Sequence, residues 1–252
     1  MATTSAQTDI QSNPERKLIA PLWHTFVLVL LMIAYAYHGQ TSVGRIERLH
    51  LTSKVPLYLY MIALELVLVS YVWFLGVKPR GGNIRGLIGG KWNTFGDVMR
   101  DIGVAFLFWL VVIVMLAGLR FSLGNSQQTT SAVSMLAPGS LSEAIVWVVL
   151  SVTAGVCEEF IFRGYLQKQF FAITGMNGVA IAGQALVFGV AHGYQGVKGM
   201  TSIAIYGALF GILAMMRKSL RPGIMQHGAQ DTMSGIAGMF LKKYHYLQII
   251  KF

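Results

Sequence analysis

Apolar residues run through this chain in long uninterrupted blocks. Leu18–Tyr37, Val55–Val77 and Asp101–Leu119 are each about 20 residues long, the length a helix needs to cross a bilayer. The polar connections His38–Lys54, Lys78–Arg100 and Arg120–Gly139 separate them. Strands of a membrane barrel would instead alternate over ~10 residues. Inside lipid every backbone group must be satisfied within its own segment, so the blocks predict an all-α, polytopic transmembrane helix bundle. About seven or eight spans are expected along the whole chain. The first block follows Arg16 and Lys17, and Ala34-Tyr35-Ala36 resembles a leader cleavage site. The block is longer than the ~7–15 residues of a leader's apolar region, so a retained helix is expected.

The texture changes after Gly139. Ser140 and Glu143 form an S-x-x-E capping box that opens a helix. From there to Leu241 connections shorten, glycine becomes dense and polar residues enter the apolar runs. Gly189/Gly193 and Gly207/Gly211 have the small-xxx-small spacing that lets membrane helices approach closely. The helix begun at Ser142 has no proline after Arg163, so it is expected to continue to the break at Thr174–Gly178. The following spans are Val179–His192, Met200–Met216 and Pro222–Leu241. The chain thus divides into a polar tail (1–17), an N-terminal bundle (18–140), a helical core (141–241) and a basic C-terminal tail (242–252). No internal repeat is evident.

Composition supports the lipid reading: 54% of the 252 residues are hydrophobic and only 12% are charged, against about 25% charged in soluble domains. The formal charge of +10 could suit nucleic acid. There is no basic soluble domain to hold it, however, and basic loops set topology and meet anionic headgroups. Membrane lipids are the expected partners, and nucleic acid is not. The loop bias weakly favours a cytoplasmic N-terminus, in a plasma or inner membrane. A single cysteine, Cys157, rules out an internal disulfide and a cysteine-based zinc site.

Ionisable residues inside a membrane mark function by default. The core holds Glu158, Glu159, Arg163, His192, His227 and Asp231. Glu159 and Arg163 are four apart and can pair along one helix face. Glu158 is turned away from that face and has no local partner, which suits a general base. Glu158 lies 18 residues before Met176 and His192 lies 16 after it. At ~1.5 Å per residue the two side chains sit at similar depth on neighbouring helices. His227 and Asp231 are also four apart and share a face. Asp231 is expected to accept a hydrogen bond from His227 and fix its tautomer. Each feature has a structural alternative: ion pairing for Glu159, a helix-end packing role for His192, an intrahelical hydrogen bond for His227 and Asp231. Glu65 also lies mid-span but stands alone, and a contribution to function is not expected of it.

The set Glu158-Glu159-x-x-x-Arg163, Phe188-x-x-x-His192 and His227-x-x-x-Asp231 resembles the signature of the CAAX-processing and bacteriocin-processing (CPBP, or Abi) family of intramembrane endopeptidases. The resemblance covers roughly residues 141–240, with the motifs in order. It implies a glutamate-dependent peptidase with a water-filled cavity among its core helices, acting on a membrane-associated protein or peptide. By motif position Glu158 and His192 would activate the attacking water, and His227 and Asp231 would stabilise the oxyanion. Glu159, Arg163 and Phe188 would support the site. The related CAAX endoprotease carries Asn at the position of Asp231, although Asp also occurs among bacterial relatives.

Two histidines and a carboxylate could form a zinc shell. There is no H-E-x-x-H on one helix, so a site with no cofactor is favoured and zinc is the alternative. Two other functions compete with the peptidase: a proton-coupled transporter, which the lack of an inverted repeat disfavours, and a silent scaffold or immunity protein, which a complete acid/base set disfavours.

Overall fold

The computed structural model describes residues 17–48, 52–124 and 126–250. Most of the N-terminal tail expected at 1–17 therefore lies outside the described residues. The elements are α1 (Leu22–Arg48), α2 (Val55–Ser70), α3 (Ile84–Ile88), α4 (Phe95–Leu123), α5 (Gln127–Leu136), α6 (Leu141–Glu158), α7 (Gln167–Thr174), α8 (Asn177–Ala191), α9 (Gly196–Arg217) and α10 (Arg221–Ile250). The described residues form no β-strand; one isolated antiparallel bridge joins Gly89 to Ser219. Five stretches among them are long and apolar enough to cross a membrane: Leu22–Gln40, Val55–Arg80, Phe95–Leu123, Leu141–Thr174 and Gly193–Arg217. The shorter apolar helix α8 lies between the last two. The chain is an integral, multi-pass membrane protein built as a helix bundle.

Helix ends follow local chemistry. Thr94 caps α4 through the Asp97 amide, and the Asp97 carboxylate accepts in return from the Thr94 amide. This satisfies two of the donors that a helix start leaves open. It also starts α4 six residues earlier than the apolar block alone suggests. Ser140 caps α6 through the Glu143 amide. The Glu143 carboxylate does not close the box on Ser140. It accepts from the amides of Gly139 and Lys54, tying α6 to the start of α2. At the other end α7 stops at Gly175, whose φ of +73° is the left-handed conformation that ends helices. All three polar connections and the C-terminal tail contain helix; Lys78–Arg100 holds α3 and the start of α4. Helix α1 runs to Arg48, α5 fills much of Arg120–Gly139, and α10 continues through 242–250.

Helices α6 and α7 form one continuous rod, as the absence of a break signal implied. Between them Glu159–Leu166 is wound as a π-helix, and all eight of its residues are buried. Close packing around this rod rests on glycine. A Cβ on Gly155 would stand 2.8 Å from the Gly228 backbone, so α6 and α10 touch main chain to main chain. On α8, Gly189 faces Met200 and Ala204 of α9. On α9, Gly207 and Gly211 face Ala185 and Gln184 of α8. Gly193 breaks the pattern and packs on Ala36 of α1. The α1 helix is held to the rod by polar bonds. Tyr165 meets His24 Nδ1 at 2.9 Å and Thr25 at 2.7 Å, and the Gln169 amide bridges the Ile19 amide and the Ala20 carbonyl.

Candidate active site

The residues singled out by sequence meet where α6, the π-helical segment, α8 and α10 converge. Arg163 is fully enclosed. Its Nη1 donates to Glu159 Oε1 at 2.9 Å and its Nη2 to the Gly207 carbonyl at 3.1 Å. The rings of Phe188 and Phe210 stack over its guanidinium at 4.4 and 4.9 Å. A buried cation is tolerated only when paired and hydrogen-bonded, and here π faces supply further attraction. The expected Glu159–Arg163 pair is present.

Glu159 does more than pair with arginine. Its Oε1 also accepts from His227 Nδ1 at 3.0 Å. That bond fixes a proton on Nδ1 and the direction of the ring. The Nε2 edge then lies 3.5 Å from Glu158 Oε2 and 3.6 Å from Asp231 Oδ2. The tautomer-fixing role expected for Asp231 therefore falls to Glu159. At 3.6 Å Asp231 is beyond a hydrogen bond and meets Nε2 as an ion-pair partner. The physical reason is reach: the π-helical turn carries Glu159 under α10, closer to the imidazole than a side chain one turn along the same helix. His227 thus faces three carboxyl groups of graded exposure, 1% for Glu159, 14% for Glu158 and 37% for Asp231.

His192 closes α8. Its Nδ1 donates to the Phe188 carbonyl at 2.9 Å, which leaves the lone pair on Nε2. Phe188 packs edge-on against His192, Phe162 and His227, so this ring sets the spacing of both histidines and of the arginine. Asp231 is anchored from its backbone, because the Trp147 indole donates to its carbonyl at 2.9 Å.

Glu158, His192, His227 and Asp231 line one cavity of about 460 Å³, whose remaining wall is largely apolar. Glu158 and His192, matched in depth by counting residues, do reach the same space. His227, near the start of α10, reaches it as well. Glu65, a lone mid-span carboxylate of which no functional part is expected from sequence, lines this cavity as well and interacts with Glu158. Its mid-span position was the available signal; the partner across the helix interface was not readable. No group of three or more His, Cys, Asp and Glu side chains among the described residues is arranged to hold a metal ion.

Comparison with known proteins agrees with the motifs. Residues 138–233 match the family described as type II CAAX prenyl endopeptidase Rce1-like. No curated protein and no solved structure matches the chain. The matched segment begins just before the α6 cap and ends just past Asp231, enclosing every motif residue. This segment is thus similar to the CAAX-processing and bacteriocin-processing family of membrane proteases, and it contains every residue of the three motifs.

Proposed function

We propose that the protein is a glutamate-dependent intramembrane endopeptidase that cleaves membrane-associated proteins or peptides near the membrane surface. The reading is carried by the convergence of Glu158, His192, His227 and Asp231 on one cavity. Glu158 takes a proton from a water molecule as that water attacks the scissile carbonyl, and His192 Nε2 holds and orients the water. This is general-base catalysis by positioned groups. The oxyanion forms against His227. Three carboxyl groups around the ring favour its doubly protonated form, so with Nδ1 bonded to Glu159 a second proton on Nε2 points at the developing charge, and Asp231 flanks it. A donor aimed at the tetrahedral oxygen is typically worth 10²–10³ in rate. Glu159 and Arg163 hold this geometry without touching substrate. CAAX-type C-terminal processing and peptide maturation are the substrate classes consistent with the family.

The reaction in this reading needs no resident metal. The test is cleavage of a peptide library by purified protein, wild type beside Glu158→Gln. Glu158→Gln should lose ~10²-fold or more in turnover while staying folded. Wild-type activity should also survive exhaustive chelation confirmed by metal analysis. Near-normal cleavage by folded Glu158→Gln would refute the role of Glu158. Loss on depletion with recovery on stoichiometric zinc would refute the metal-free mechanism.

A further inference from the structure

Helix α2 lies wholly outside the matched domain, yet it delivers a carboxyl group to the site. Glu65 lines the same cavity as Glu158, among the apolar side chains of Met61, Leu64 and Leu68. The two carboxyl groups are within hydrogen-bonding reach of each other. Glu65 Oε2 and Glu158 Oε2 are both enclosed, and neither receives a hydrogen bond from the protein. The groups facing this pair are Tyr35 from α1, Cys157 from α6, His192 and Tyr194 beyond α8, and His227 and Asp231 from α10. Arg120 and Lys198 also line the cavity, and the charges acting on Glu65 are those of Glu158 and Asp231. Two carboxylates facing each other in such surroundings repel strongly. One proton between them turns the repulsion into a charge-assisted hydrogen bond.

We propose that Glu65 is a positioning residue of the active site that holds a proton and donates it in a hydrogen bond to Glu158. The bond orients the Glu158 carboxylate and leaves it one oxygen with which to take a proton from water. No covalent bond to Glu65 forms, and its proton stays with the pair through the cycle. The N-terminal bundle is then part of the catalytic machinery as well as a lipid-facing shell. This inference rests on the peptidase reading for its kinetic consequence and, for the proton, on the shared cavity and the two enclosed oxygens without a protein donor.

The experiment compares wild type, Glu65→Ala and Glu65→Gln as full-length protein in lipid. The Gln side chain keeps a neutral donor, so Glu65→Gln should retain most of the wild-type kcat. Glu65→Ala should lose about 10-fold or more in kcat with KM little changed, as expected for a lost hydrogen bond to a charged group. Its acid limb should also move relative to wild type. Independently of activity, the infrared spectrum should contain a protonated-carboxyl C=O stretch that disappears in Glu65→Gln. Equal loss of kcat in Glu65→Gln and Glu65→Ala, or infrared spectra unchanged by Glu65→Gln, would overturn the proposal. A wild-type protein that cleaves no peptide would refute the peptidase reading, and the infrared comparison would still decide the carboxyl pair.

Discussion

Helix α4 and the α6–α7 rod are both apolar spans, but they meet different surroundings. The apolar stretch of Phe95–Leu123 is 11% buried within the protein, and that of Leu141–Thr174 is 44% buried. Helix α4 is nevertheless the more apolar of the two. In water this order would be reversed, because burial selects for hydrophobicity. Here lipid is the solvent, so the most apolar helix is the one left on the outside. The buried rod spends its sequence on Ser151, Glu159, Arg163 and Gln169, groups that need partners which lipid does not provide. Polarity inside this bundle is a record of what must be satisfied by neighbouring helices.

The strongest way to test this contrast is to remove a partner inside the rod. Arg163→Ala leaves Glu159 buried without its cation, and breaking a buried pair costs about 3–5 kcal/mol. A large drop in thermal midpoint and in activity is expected. The double variant Glu159→Gln/Arg163→Gln should recover part of the midpoint, since no bare charge remains. A double variant no more stable than Arg163→Ala in a thermal-shift measurement would remove the ion pair from the account.

Much of the rod was legible in the sequence. Residue counting gave Glu158 and His192 matching depth, and both line one cavity; the i,i+4 spacing announced the Glu159–Arg163 bond, because both depend only on helix geometry along one or two adjoining segments. Contacts between helices distant in sequence were not legible. Glu159 supports His227 across 68 residues, and Glu65 reaches Glu158 from a separate helix. Nothing in the local pattern of either segment encodes those meetings. The π-helical winding also had no signal, since Glu159–Leu166 carries neither Pro nor a Gly pair. Helix α4 was read too short because Thr94 and Asp97 cap it in a polar stretch; a T-x-x-D cap was available as a signal there.

A milder probe of the same contrast uses glycine. Alanine at Gly155 would push its methyl into the Gly228 backbone, and main chain cannot move aside as a flexible side chain can. Overpacking of this kind typically costs 1–3 kcal/mol. Alanine at Gly118 of α4 meets nothing within 4 Å, so its effect should be a neutral to small gain of up to ~1 kcal/mol from helix propensity. Equal midpoints for Gly155→Ala and Gly118→Ala in thermal unfolding would show that the two helices are packed alike.

Asp231 gives the smallest expected change, because it is the most exposed of the three carboxyl groups around His227 and Glu159 already orients the ring. Asp231→Asn should lower turnover by no more than about 10-fold, the loss of charge assistance in one contact. Asp231→Ala should fall somewhat further. An Asp231→Asn enzyme faster than wild type, with its alkaline limb moved upward, would show that the residue acts as a neutral donor to the oxyanion.

The wide turn at Glu159–Leu166 also works as a phase adjuster between two halves of one rod. Each residue added to or taken from a helix turns everything beyond it by about 100°. Were this segment to relax to ordinary α winding with its residue count unchanged, Glu158 would stay where it is. Downstream it would swing Tyr165 off His24 and Thr25 and carry Gln169 away from the chain entering α1. Glu158 and the anchor of the first span are thus kept in register by winding rather than by composition. An alignment that scored only residue identities would overlook the constraint, while a single-residue gap at this point would reveal it.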